Sequence, residues 1–166
     1  MSERFTRLFS LPAELYAEGS PLLIEAGALL RDNQSNKLLA QLRLKNLEDR
    51  ALRAVQIRLW PEDALGHAAE SPVLYTCMDL NAPRGGAFGT KNPIPLPDPA
   101  TRSLRAEISE AVFADGSRWI APEGAAWAQL PAGTRLFFQI LRLASLAQDD
   151  RRETRIATPQ GATLRP

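Results

Sequence analysis

Any Ser-His-Asp or Cys-His catalytic arrangement in this chain would have to use His67, because it is the only histidine. It stands between Gly66 and Ala68, and no Gly-x-Ser-x-Gly elbow occurs anywhere. A solvated loop histidine is the expectation. Cys77 is the only thiol. A reactive thiol needs a cationic or helix-terminal setting, and Cys77 lies mid-strand between Tyr75 and Asp79. It reads as a small buried hydrophobe. Gly85-Gly86-Ala87-Phe88-Gly89, with Arg84 and Lys91 beside it, offers backbone amides to an anion. It lacks the Gly-Lys-Ser/Thr ending and the following helix that a phosphate cradle uses, so a flexible loop is expected. The carboxylates are scattered over wet strand faces and turns, and no acid–base pair stands out. Trp60, Trp119 and Trp127 could stack a ligand, although core or rim packing is the commoner fate of tryptophan.

The elements that must position these groups are strands. Leu22, Ile24, Ala26, Ala28 and Leu30 alternate with Leu23, Glu25, Gly27 and Leu29, the period of a strand with one buried face. Asp32-Asn33-Gln34-Ser35-Asn36 is a turn cluster, since Asn and Asp bond their own backbone and tolerate φ > 0. Leu38, Ala40, Leu42 and Leu44 alternate in turn; Glu48-Asp49-Arg50 turns the chain; Val55, Ile57 and Leu59 follow. Leu22 to Trp60 is thus predicted to be three consecutive antiparallel strands.

Val73 to Leu80 is the next strand, apolar on both faces and expected to be covered on both. Pro93, Pro95, Pro97 and Pro99 cannot donate to a ladder, so that segment is an edge strand or polyproline-like. As Pro93-Ile94-Pro95-Leu96-Pro97 it could also dock on an aromatic groove, but edge protection is preferred. Leu104 to Phe113 alternates, and Asp115-Gly116 predicts a type I′ hairpin returning through Trp119 and Ile120 until Pro122 ends it. Residues 1–18 are expected to lie extended along a sheet edge, with a short turn over Pro12–Ala17. The sum is a mostly β domain over 19–121, an antiparallel β-sandwich of about seven strands.

Past a linker from 122, Leu136, Ile140, Leu143 and Ala147 fall at helical spacing, with Phe137, Leu141 and Ala144 beside them. A C-terminal helix is predicted, running out near 153 into a loosely ordered tail at 154–166. Phe138 and Leu146 widen its apolar surface beyond one packing face.

Composition narrows the function classes. Lys plus Arg number 20 and Asp plus Glu 19, so a net charge of +1 gives no electrostatic reason to expect nucleic acid or an anionic membrane. One cysteine excludes an internal disulfide and a thiolate zinc site within one chain. No cofactor or metal is expected. The charged N-terminus is not followed by an apolar run, and no stretch approaches the roughly 20 apolar residues that span a bilayer. A cytoplasmic location without membrane contact is the expectation.

Leu8-Phe9-Ser10-Leu11-Pro12, Ile24-Glu25-Ala26-Gly27-Ala28, Met78-Asp79-Leu80-Asn81 and Val112-Phe113-Ala114-Asp115-Gly116-Ser117-Arg118-Trp119 together resemble an uncharacterised bacterial β-sandwich domain. The resemblance spans residues 5–120. It implies an immunoglobulin-like sandwich and carries no activity to transfer. Relatives of that kind often continue into a short helix and a Cys-x-x-Cys zinc ribbon; no ribbon follows here, so zinc is not implied.

The expected function is a non-enzymatic protein–protein interaction module. It would act through a partner or self-association at the C-terminal helix, at Leu136, Phe137, Phe138, Ile140 and Leu146. The alternative is a small-ligand or carbohydrate binder, or a hydrolase. Its site would lie among the inter-strand loops, with Asp63, His67, Arg84 and Lys91 converging in a pocket. A sugar would want an exposed platform at Trp60 or Trp127.

Overall fold

Alternation of apolar and polar residues builds every long element of the molecule. The computed structural model describes residues 3–131, and none of these is helical. The strands are β1 (Phe5–Ser10), β2 (Leu15–Tyr16), β3 (Leu22–Asp32), β4 (Leu38–Asn46), β5 (Leu52–Glu62), β6 (Val73–Cys77), β7 (Ala87–Phe88), β8 (Ile94–Leu96), β9 (Ser103–Phe113), β10 (Arg118–Ile120) and β11 (Ala128–Gln129). The helix predicted from Thr134, with Leu136, Phe137, Phe138, Ile140 and Leu146, lies outside the described residues.

Two antiparallel sheets form. The first runs β11-β2-β3-β4-β7, with β1 also paired to β3 and β8 to β4. The second runs β10-β9-β5-β6. Their buried side chains merge into one core. Leu22, Ile24, Leu29 and Leu44 come from the first sheet, and Leu52, Ile57, Leu59, Ile108 and Phe113 from the second. Full burial of one such side chain is worth about 1.5–3 kcal/mol, so the pairing of greasy faces dominates stability.

The expected three-strand meander is corrected at its second link. β3 and β4 do pair, but β5 leaves for the other sheet. The crossing is fixed by Asn46, which is fully buried. Its Nδ2 donates to the Arg50 carbonyl at 2.8 Å and the Ala82 carbonyl at 3.0 Å, while its Oδ1 accepts from the Glu48 amide at 2.9 Å. A buried amide satisfied on both ends holds the corner and ties it to a segment that arrives from far along the chain.

The alternation in β3 is also interrupted. Ile24 faces Leu44 but Ala26 faces Arg43, so Glu25 is an extra residue. A bulge of this kind moves the following side chains to the other face. Leu29 becomes fully buried, Ala26 exposed and Leu30 half-buried, while Ala28 stays buried as well. The displaced Glu25 carboxylate meets Arg43 Nε at 2.9 Å and Lys45 Nζ at 3.8 Å.

Two further local expectations change. Asp115-Gly116 does make a hairpin between β9 and β10, but with a three-residue loop. Phe113 N donates to Ser117 O at 2.9 Å and Gly116 N to Phe113 O at 3.0 Å. Only Gly116 takes positive φ (85°), which is a type I turn closed by a glycine bulge and not type I′. Pro12–Ala17 forms no helical turn; Leu15 instead pairs with Ile24. The proline run behaves as an edge strand: Ile94 and Leu96 are buried while Pro95 between them faces out. β6 is an edge strand covered on one side only, with Leu74 57% exposed and Met78, just past its end, 70% exposed.

Candidate functional site

The four loop residues expected to converge do not. Asp63 and His67 lie beyond the C-terminal end of β5, where the imidazole Nδ1 stands 3.3 Å from Asp63 Oδ2. The Asp63 Oδ1 accepts from the amides of Leu65 (2.8 Å) and His67 (2.9 Å), which closes the loop on itself. Arg84 sits beside the opposite end of β5, next to the Leu52–Ala82 bridge. Eleven strand residues separate those ends, about 33 Å of extended chain. Lys91 lies on a third site, between β7 and β8 along the β4 edge.

The glycine-rich loop spends its amides internally. Gly85 N donates to Asn46 O at 2.7 Å and Gly86 N to Pro83 O at 2.9 Å. A Cβ at Gly86 would stand 2.9 Å from that same carbonyl, so the residue serves a tight turn. Among the described residues no group of three or more His, Cys, Asp or Glu side chains is placed to hold a metal ion.

Asp32, Asp63 and Asp115 share a turn-closing role. A backbone hydrogen bond from Gln34 holds the Asp32 carboxyl below its ordinary value, one from His67 does so for Asp63, and the Ser117 hydroxyl does so for Asp115. Folded values lowered in this way contribute stability above the unfolded carboxylate value near 3.9, and that contribution disappears as pH falls through the folded values. Urea midpoints should therefore drop as pH is lowered below about 4. The triple variant Asp32→Asn, Asp63→Asn, Asp115→Asn should show a flatter acid limb.

Cys77 is 9% exposed, and burial pushes its thiol up from the ordinary value. Alkylation by iodoacetamide at neutral pH should be at least tenfold slower in the native chain than in urea, since the thiolate is the nucleophile.

What the structure does bring together is the pair of tryptophans. A groove of about 440 Å³ opens on the flank of the molecule, between the β1–β2 side of the first sheet and β9 of the second. Trp60 and Trp127 both line it. Its floor is made by Leu11, Leu15, Leu104 and Ala106, each less than 9% exposed, so the groove reaches the core between the sheets. Phe9 and Pro12 also line it.

Local sequence explains the placement. Trp60 is an outward position of β5, opposite Arg105. Its Nε1 donates to Glu107 Oε1 at 3.1 Å, and the Arg105 guanidinium stands 6.0 Å from its ring. Arg105 Nε donates to Glu62 Oε1 at 3.0 Å, and Arg58 stands 3.8 Å from Glu107. The charged rim is thus neutralised within the second sheet. Trp127 is carried by the segment that crosses to the first sheet, where β11 pairs with β2. Sequence reasoning named both indoles but missed Phe9, Leu11 and Leu15 as their companions. The only signal was an N-terminal segment too apolar for a free tail.

No protein-family model, curated protein or solved structure matches this chain.

Proposed function

We propose that the domain is a non-enzymatic protein-binding module that takes a segment of a partner chain into the Trp60–Trp127 groove. The observation that carries this reading is the character of the groove floor: four buried apolar residues with no ionised group among them. Pockets of a few hundred Å³ with apolar linings and a few polar rim groups suit apolar side chains. Aromatic residues are enriched where proteins anchor one another. A sugar fits less well. Its hydroxyls would sit over Leu11, Leu15 and Leu104 without partners, and the rim groups Arg105 and Glu107 are already engaged.

We also infer an immunoglobulin-like sandwich. The connectivity supports it: β3, β4 and β8 lie side by side in one sheet, and β6, β5, β9 and β10 in the other, an alternation of hairpins and crossings between sheets typical of such domains.

The test is selection of a displayed nine-residue peptide library against the full chain, with tryptophan fluorescence as the binding readout. Enrichment of apolar peptides that shift the emission of Trp60 or Trp127 is expected. Absence of any enriched peptide, together with binding to a saccharide array, would overturn the reading.

A further inference from the structure

We propose that two copies of this chain join edge to edge through β6, as an antiparallel pair related by a twofold axis beside Tyr75. The surface is separate from the Trp60–Trp127 groove, none of whose lining residues belongs to β6.

β6 ends the second sheet, and among the described residues β5 is its only neighbour. The hydrogen bonds of β5 show which backbone groups of β6 are free. Pro61 O accepts from Ala69 N at 2.9 Å, and Arg53 O accepts from Leu80 N at 2.9 Å, both on the β6 side. Glu62 O turns the other way and accepts from Arg102 N at 2.8 Å, beside β9. The odd-numbered residues of β5 therefore address β6, where Leu59 faces Val73, Ile57 faces Tyr75 and Val55 faces Cys77. Residues opposite each other in an antiparallel pair turn their N–H and C=O groups either both inward or both outward. Val73, Tyr75 and Cys77 thus spend theirs on β5. Leu74 and Thr76 turn theirs to the open side, and both residues are exposed.

Natural edges are defended by charges, prolines or bulges. Val73 to Met78 holds no charge and no proline, and its pairing with β5 runs without a bulge. Leu74 and Met78 are among the most exposed large apolar side chains of the described residues.

A second copy fits this edge because the edge complements itself. With Tyr75 against Tyr75 of the second copy, Leu74 of each chain falls opposite Thr76 of the other. The outward N–H and C=O groups of these residues then bond each other across the axis. Met78 comes beside Pro72 of the second copy. The charges agree with this direction. Glu70 stands exposed before β6 and Arg53 exposed beside its far end, and neither side chain has an ion pair among the described residues. Within one chain the length of β6, about 17 Å, keeps them apart. An antiparallel pair carries each Glu70 to the Arg53 end of the other copy. Asp79, at that same end, falls opposite the neutral Ser71. A net charge of +1 opposes the association little. The interface is isologous and small, so the dimer is weak and reversible.

The test is light scattering and sedimentation of the full chain over a concentration series. The mass should rise towards two chains as concentration approaches about 1 mM. Leu74→Lys places a charge on the edge, and Thr76→Pro removes an outward N–H; each should raise the dissociation constant about tenfold or more. Leu74 is exposed, so Leu74→Lys keeps the native circular dichroism and decides the matter even if Thr76→Pro does not fold. Glu70→Arg should weaken the dimer about threefold, and adding Arg53→Glu should restore it. A single-chain mass up to about 1 mM would overturn the proposal. So would a dimer that keeps its affinity in Leu74→Lys, which would place self-association elsewhere on the chain. A double variant Glu70→Arg, Arg53→Glu that binds no better than Glu70→Arg alone would overturn the antiparallel pairing.

Discussion

Replacing Asn46 by leucine lowers the unfolding free energy by about 3 kcal/mol, read as a fall in the urea midpoint with little change in slope. Three hydrogen bonds disappear together: to Arg50 O, to Ala82 O and from Glu48 N. A hydrogen bond contributes about 1 kcal/mol net, and a buried acceptor left without a donor costs about 1–3 kcal/mol more. The Arg50 carbonyl is the vulnerable one, with no second donor among the described residues; the Ala82 carbonyl also accepts from Leu52 N at 2.9 Å, which softens its loss. Leucine would recover part of the deficit by burying carbon, because the site is closed to water. Alanine, which leaves a cavity as well, should be worse than leucine. An unchanged midpoint would mean that Asn46 does not hold the sheet crossing.

The second large effect is on binding. Ala126→Trp should weaken groove-selected peptides at least tenfold, about 1.4 kcal/mol, while leaving stability within about 0.5 kcal/mol. Ala126 lines the groove and its side of the chain is exposed. An indole there occupies the space a partner side chain would take, without touching the floor. Trp127 is a poorer choice, because it also packs on the core and its removal mixes folding with binding. Full affinity in Ala126→Trp would place the peptides elsewhere.

Much of the architecture was legible because it is local. The alternation of β4 and of the first half of β9, the Asp32–Asn36 turn with Asn36 at φ 62°, and the proline-guarded edge at Ile94–Leu96 each depend on neighbours a few residues away; past Ile108 an irregularity buries Ser109, Ala111 and Phe113 in place of the expected Glu110 and Val112. The crossing after β4 was not legible. Glu48-Asp49-Arg50 has the composition of a hairpin turn, and what sends the chain to the other sheet is a bond from Asn46 to Ala82, 36 residues on. The bulge at Glu25 was hidden for a similar reason, as its Arg43 and Lys45 partners lie across the sheet. Leu74 and Met78 looked interior because a two-sided apolar strand normally is; no residue type in β6 reveals that it stands at an edge.

The candidate site was half legible. Trp60 and Trp127 are conspicuous by type, yet their meeting depends on the pairing of Tyr16 with Ala128 and Leu15 with Gln129. Two-residue strands carry too little pattern to be seen from sequence. The loop candidates failed for a geometric reason. Asp63 and His67 satisfy each other at one end of β5, and Arg84 lies at the other.

The most direct measurement is chemical-shift mapping of the labelled full chain with a library-selected peptide. The account predicts that the amides from Leu104 to Glu107 and the indole N–H signals of Trp60 and Trp127 move together and saturate with one affinity. Shifts confined to the Asp63–His67 loop or the Pro83–Lys91 loop would contradict it.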